Sequence, residues 1–138
     1  MSTTIRPELS DSNELRISKH RYYELKHFCL QYKEWNERCY GLGYGERGIS
    51  VLTVQNGHSY GDYYGDLAAK RAEYKRRMEL VEEAAKMADK GLSWYLMVAV
   101  TENRSYTYLQ SKMNIPCGRN SFYQAYRKFF FLLDKTRN

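Results

Sequence analysis

Apolar residues recur every three or four positions over long stretches of the chain, which is the spacing of one face of an α-helix. The first stretch predicts a helix that is capped by Ser18 and ends at Gly41. The second predicts a helix from about residue 66 to residue 89. The fold class is therefore predicted to be mainly α. The apolar positions are Leu25, Phe28, Cys29, Tyr32, Trp35 and Cys39 in the first helix, and Leu67, Tyr74, Met78, Val81, Ala85 and Ala88 in the second.

The apolar positions of the second helix alternate three- and four-residue steps, with Arg71 at one missing position. This spacing is a heptad seam, which buries itself against another helix. The simplest interpretation is that the two helices form a long antiparallel pair within one chain. The alternative is a homodimer that forms through helix 66–89.

A glycine-rich segment, residues 41–65, separates these helices and holds seven of the nine glycines and four tyrosines. Residues 49–54 have the composition of a strand, and Asn56-Gly57 is a hairpin-turn dipeptide, so a Gly/Tyr-rich loop or small hairpin is expected. Residues 1–16 have no apolar periodicity and are predicted to be a flexible arm. A helical hairpin, residues 17–90, then precedes a C-terminal segment, residues 91–138.

Three further helices are predicted after a break at residues 89–91, and their order matches the trihelical core of a helix-turn-helix domain. They span residues 92–103, which are apolar nearly all round and expected to be buried, residues 106–113, capped by Ser105, and residues 119–135. A tight turn, residues 114–118, joins the last two. The predicted buried residues are Leu109, Met113, Ile115, Phe122, Ala125, Tyr126, Phe129, Phe130 and Leu133.

Charge is distributed unevenly, because the net charge of +6 lies entirely within the last 35 residues. Residues 104–138 carry seven basic side chains and one acid, Asp134, whereas basic and acidic groups cancel over the rest of the chain. A basic segment at one end of a chain is typical of a protein that binds a polyanion, most often nucleic acid. Charge and helical pattern together predict double-stranded DNA as the partner.

In a helix-turn-helix domain the third helix places its N-terminal half in the major groove, where its non-core side chains read base edges. Arginine pairs with guanine, and asparagine and glutamine pair with adenine. Arg119, Asn120, Gln124 and Arg127 are expected on the face opposite Phe122. The base-reading candidates are Arg119, Asn120, Ser121, Tyr123, Gln124, Arg127 and Lys128, and the candidates for phosphate contacts are Arg104, Lys112, Lys135 and Arg137.

The segment SYTYLQSKMNIPCGRNSFYQAYRKFFFLLDK and the earlier ISKHRYYELKHFCLQY resemble small proteins from phages and prophages of Gram-positive bacteria. These include late-gene transcription regulators of the ArpU and RinA type, whose C-terminal helix-turn-helix is similar to sigma-factor region four. The resemblance implies a phage-encoded, DNA-binding transcriptional regulator in the cytoplasm of a bacterial host cell. The glycine-rich segment has no counterpart in this resemblance.

Other motifs do not predict a catalytic, cofactor or metal site. Gly43-x-Gly45-x-x-Gly48 matches a dinucleotide fingerprint only as a string, because a helix precedes it and none follows. His20, Glu24 and His27 share a helix face, but neighbouring basic residues disfavour a cation there. Three cysteines cannot all pair within one chain, and no apolar run is long enough for a membrane span, so a reduced cytoplasmic protein is expected.

Two other functions remain open for a non-enzymatic protein of this kind. The long helices and the tyrosine-rich segment would also suit a phage inhibitor that binds a host defence or transcription protein, or its nucleic-acid complex, in the manner of an anti-CRISPR protein. A small packaging subunit that binds DNA as a ring is the third alternative.

Overall fold

The computed structural model describes residues 17–40 and 60–137, apart from the side chains of residues 60–63. Every regular element in these ranges is helical, which confirms the mainly α prediction. No helix in the described ranges is both long and apolar enough to cross a bilayer. The predictions for the arm and for residues 41–59 lie outside the described residues. The helices are α1 (Lys19–Leu30), α2 (Tyr32–Tyr40), α3 (Tyr60–Ala88), α4 (Ser93–Glu102), α5 (Tyr106–Met113) and α6 (Arg119–Arg137), with one 3-10 turn, Lys90–Leu92, before α4.

The two long helices differ from their predicted bounds. The first is interrupted at Gln31, whose backbone N–H donates to the carbonyl of Phe28 at 3.2 Å and so tightens the last turn of α1. The second begins at Tyr60, six residues before the predicted start. A glycine inside a helix costs about 1 kcal/mol relative to alanine, so Gly61 and Gly65 lower the helix preference of this stretch. The helix nevertheless continues through both glycines.

The described residues group into two compact units. One unit contains the residues up to Gln31 and those from Leu80 onward, and the other runs from Tyr32 to Glu79. The sequence analysis predicts a domain boundary at residue 90, because the apolar pattern alone does not show that α1 packs with the C-terminal helices. The largest fully buried side chains are Leu25, Cys29, Val81, Leu96, Leu109, Phe122, Phe129, Phe130 and Leu133, and all of them belong to the first unit.

Helix α1 holds the C-terminal half of α6 in the first unit. The ring of Tyr22 meets Phe130 edge-on with centroids 5.2 Å apart, and its hydroxyl lies 2.9 Å from that of Tyr126. One turn and a half later, Phe28 lies under the guanidinium of Arg137 at 4.1 Å. Later residues of α1 therefore meet later residues of α6, so the two helices run in the same direction.

In the second unit, α2 packs against the first part of α3. The guanidinium of Arg77 lies 5.8 Å from the ring centroid of Trp35. Further along α2, a hydrogen bond to Tyr74 raises the pKa of Arg38. Since Tyr74 precedes Arg77, the two segments run in opposite directions. Residues 32–40 are the part of the first predicted helix that belongs to this unit.

The heptad seam of α3 is covered within a single chain. Leu67, Met78, Val81, Ala85 and Ala88 are all buried, and Val81 and Ala85 have no exposed surface. Residues that are already buried in one chain have no apolar surface left for a second copy. The seam therefore favours packing within the chain over the homodimer.

Helix α4 is less buried than its composition predicts. Leu96, Ala99 and Val100 face the core, but the side chain of Trp94 is 61% exposed. Trp94 lies two residues, or about 200°, around the helix from Leu96, so the two residues cannot face the same core. Because this helix has apolar residues on every side, the sequence predicts that all of its faces are buried. In the structure only one face of α4 packs against other helices of its unit.

Candidate nucleic-acid interface

Two asparagines in left-handed backbone end the helices that precede α6. Asn103 (φ 56°, ψ 49°) ends α4, and Asn114 (φ 54°, ψ 47°) ends α5. Ser105 caps the start of α5 by accepting a hydrogen bond from the backbone N–H of Tyr108 at 3.3 Å. Asparagine is one of the few residues that adopt left-handed backbone at little cost. The cap at Ser105 and the turn after Asn114 are thus as predicted.

Tyr106 joins α5 to the turn and to the start of α6. Its buried hydroxyl donates a hydrogen bond of 2.7 Å to the carbonyl of Cys117, and its ring lies 5.8 Å from that of Phe122. The guanidinium of Arg119 lies 5.0 Å from the ring centroid of Tyr106. Arg119 therefore points toward α5 and not away from Phe122 as expected, because it lies three residues before Phe122 on the same side of the helix.

Helix α6 has one apolar face and one polar face. Its predicted buried residues are buried, except that Tyr126 is only half-buried. The opposite face carries exposed polar residues at every fourth position, Asn120, Gln124 and Lys128, with Ser121 beside them. A spacing of four residues places side chains one above the other along one side of a helix. The fold therefore brings four of the predicted base-reading residues to one surface.

This polar face forms one wall of a groove with a volume of about 500 Å³, which we call the reading groove. The other wall is the C-terminal end of α3. The sequence pattern predicts only a break between helices at residue 89. Nothing in the local pattern predicts that this residue lies beside residues more than thirty positions later. The lining residues are Ala88, Asp89, Asn120, Ser121, Gln124, Ala125 and Lys128.

The carboxylate of Asp89 lines this groove and also accepts hydrogen bonds from the backbone that follows it. Its Oδ1 accepts hydrogen bonds from the backbone N–H groups of Gly91 at 3.0 Å and Leu92 at 3.2 Å. Its negative charge also acts on the turn before α6. Burial raises the pKa of the Cys117 thiol in that turn, and the charge of Asp89 raises this pKa further. The backbone after α3 thus fixes the carboxylate of Asp89, and the charge of this carboxylate acts on Cys117 in the turn before α6.

Besides Arg119, two further predicted base-reading residues, Tyr123 and Arg127, lie outside the reading groove. Tyr123 is half-buried, with its ring 5.1 Å from Phe122 and 5.7 Å from Tyr126, so it extends the aromatic packing of the helix. Arg127 is also half-buried, and it donates a hydrogen bond from Nη2 to Oε1 of Gln124 at 3.1 Å. Within the described residues, Nε of Arg127 is buried without an acceptor.

The predicted phosphate contacts are spread over the unit. Arg104 lies 4.2 Å from the ring centroid of Tyr108, and Lys112 is exposed on α5. Lys135 is exposed near the end of α6, about 10 Å beyond Lys128 at 1.5 Å per residue. Arg137 is half-buried against α1, so it is part of the packing between the two helices.

Most basic side chains of the C-terminal segment have no acidic partner within the described residues. Asp134, the one acid of residues 104–138, accepts a hydrogen bond from Nε of Arg21. This bond and the bond to Glu24 raise the pKa of Arg21. Only Arg104 and Arg137 form ion pairs, each at 3.8 Å, with Glu102 and Glu24 respectively. The basic side chains without an ion pair in the described ranges are Lys112, Arg119, Arg127, Lys128 and Lys135.

Comparison with known proteins does not assign this chain to a family. No family model matches it, and no curated protein and no solved structure is significantly similar to it. The resemblance to phage late-gene regulators stays a prediction.

Proposed function

We propose that this chain is a non-enzymatic DNA-binding protein that reads duplex DNA with the outward face of α6. The observation that carries the proposal is the row of Asn120, Gln124 and Lys128, exposed at every fourth position in the basic segment of the chain. Amide side chains pair with adenine edges, and lysine pairs with guanine or phosphate. A single helix fits the major groove, so such a row can contact successive bases.

The two helices before α6 suit the same role. We assign α4, α5 and α6 to a helix-turn-helix unit in which α5 crosses the DNA backbone. Leu109 and Ile115 are buried at the turn, and the hydroxyl of Tyr106 bonds to Cys117 in the turn before α6. Lys112, exposed near the end of α5, would then contact phosphate. With the resemblance to phage regulators, this arrangement supports a transcriptional regulator of phage genes.

The test compares a base-reading residue with a phosphate-contacting one in the full chain. A preferred duplex is first selected from a random pool, and affinities are then measured for it and for random DNA. Asn120→Ala should weaken binding to the selected duplex by about 1–3 kcal/mol and binding to random DNA much less. Lys135→Ala should weaken both about equally, because phosphate contacts carry no sequence information. Equal losses from Asn120→Ala on both duplexes would show that α6 is a basic clamp and not a reader.

Point substitutions are required because the basic segment cannot be deleted without loss of the core. Helix α6 supplies Phe122, Phe129, Phe130 and Leu133, whose side chains are fully or almost fully buried. Truncation of a buried phenylalanine costs about 3–5 kcal/mol, which is comparable with the whole stability of a small protein. A fragment without residues 104–138 would therefore lose DNA binding for a reason unrelated to its charge.

One observation favours a second candidate function, an inhibitor that binds a host protein. The side chains of Met87 and Trp94 are 57% and 61% exposed, although both are large and apolar. Tryptophan is enriched among the residues that dominate binding energy at protein interfaces. If the wild-type chain retains no duplex from the random pool, and Trp94→Ala abolishes capture of a host protein, this second function replaces the first.

A further inference from the structure

The reading groove contains two opposite charges that do not neutralise each other. Asp89 on one wall and Lys128 on the other form no ion pair, either together or with another described residue. Both backbone hydrogen bonds to Asp89 end on Oδ1. Oδ2 therefore keeps its capacity to accept a hydrogen bond from a group that enters the groove.

A carboxylate beside a DNA-reading face acts differently on the phosphate and on the base of a nucleotide. It repels a phosphate, since two unit charges about 4 Å apart interact with about 1 kcal/mol even in water. It attracts an amino group, and the cytosine N4 amino group is the donor that aspartate and glutamate recognise in the major groove. The position of Asp89 therefore disfavours DNA that offers only its backbone to this surface.

We propose that Asp89 is a specificity-determining residue, which accepts a hydrogen bond from a cytosine amino group while Asn120 and Gln124 contact neighbouring bases. The inference rests on the proposed function, because it requires that the outward face of α6 enters the major groove. Its consequence is that Asp89 weakens binding to random DNA and strengthens the preference for a site with cytosine at one position. Lys128 supplies the attraction to phosphate at the same surface.

The substitution Asp89→Asn separates this role from the structural one. Asparagine caps a helical turn as well as aspartate does, so the bonds to the N–H groups of Gly91 and Leu92 are retained while the charge is lost. Asp89→Ser is a second neutral cap, for use if the asparagine variant is unstable. The matched control is Glu83→Gln, which removes the same charge from an exposed residue of α3 that does not line the groove.

Affinities of the wild-type chain and the three variants are measured for random duplex DNA and for the duplex that the wild-type chain selects. Asp89→Asn should raise affinity for random DNA roughly fivefold, the factor for loss of one unit charge about 4 Å from a phosphate in water. The ratio of selected to random affinity should fall at least as much. Replacement of the cytosine in the selected duplex should then matter less for the variant than for the wild-type chain. Glu83→Gln should change neither affinity by more than roughly twofold, since Glu83 is exposed and about 9 Å along the helix from Asp89, a separation at which exposed charges are largely screened at physiological salt.

The possible failures are distinguishable. If Asp89→Asn and Asp89→Ser match Glu83→Gln while DNA binding persists, the role of Asp89 is overturned and the DNA-binding function stands. A rise in random affinity with an unchanged ratio also overturns it, because Asp89 would then repel phosphate without reading a base. If the wild-type chain binds no duplex DNA, the proposed function and the role of Asp89 both fall.

Discussion

At the scale of single residues, the direction in which the chain enters α6 depends on Asn114. Its left-handed backbone ends α5, and the next residue, Ile115, donates its N–H to the carbonyl of Leu109 at 3.2 Å. This bond brings Ile115, which is buried, back against the helix that it follows. Gly118, the other residue of the turn that tolerates such backbone, does not adopt it. Asn114 is therefore the one residue of this turn in left-handed backbone.

We expect Asn114→Val to lower the free energy of unfolding by about 1–2 kcal/mol, because a β-branched side chain is strained in left-handed backbone. Asn114→Gly is the matched control and should leave stability unchanged or slightly higher, since glycine adopts this backbone freely. Urea unfolding followed by circular dichroism measures both variants. A valine variant as stable as the wild-type chain would contradict the left-handed conformation at this turn.

At the scale of elements, α3 and α6 both show why helical periodicity is informative. Five of the six predicted apolar positions of α3 are buried, as are most of those of α6. The pattern predicts a face but not the partner of that face. In α3 the seam residues on either side of position 79 belong to different compact units, so a single heptad pattern serves two separate cores.

The seam gives a prediction for Met78, whose side chain is 4% exposed. Met78→Asp should lower the free energy of unfolding by several kcal/mol, because an unpaired carboxylate is costly in an apolar contact. Ala72→Asp, at an exposed position of the same helix, is the control and should cost less than about 1 kcal/mol. Chemical denaturation gives the stability, and sedimentation gives the mass. If Met78→Asp converted a dimer into a folded monomer, the seam would be an interface between two copies after all.

At the scale of the whole molecule, charge is the property that most constrains function. The chain carries a net charge of +6, and in the segment of residues 104–138 five basic side chains have no ion pair within the described residues. The single acid of that segment is engaged by Arg21 on α1. Packing of α1 against α6 thus neutralises the only acid of residues 104–138. The electrostatic attraction to a polyanion is correspondingly larger.

If these side chains each neutralise one phosphate, the logarithm of DNA affinity should fall against the logarithm of salt concentration with a slope of about −4 to −5. Lys112→Gln should make this slope shallower by about one, because one phosphate contact is lost. Lys70→Gln, which removes an exposed lysine of α3 outside the basic segment, should leave the slope unchanged. Fluorescence anisotropy over a salt series measures all three slopes. A slope near zero, or equal effects of the two substitutions, would argue against a C-terminal electrostatic contact.

Periodicity and local chemistry were sufficient for the helices of the C-terminal segment. The start of α5 at Ser105, its end at Asn114 and the buried face of α6 all follow from interactions within a few residues, such as caps, left-handed backbone and a repeat of 3.6. The concentration of positive charge is likewise a property of composition. The existence of a basic, two-faced C-terminal helix could therefore be predicted from the sequence.

Only the tertiary structure decided what surrounds that helix. The grouping of α1 with the C-terminal helices, the stacking of Arg119 on Tyr106 and the exposure of Trp94 all depend on how segments apart in the sequence pack. Asp89 is the clearest case, because more than thirty residues separate it from the face of α6 that it meets across the reading groove. The physical reason is that a periodic pattern records which residues leave water, whereas the groups that then become neighbours are determined by how whole helices pack.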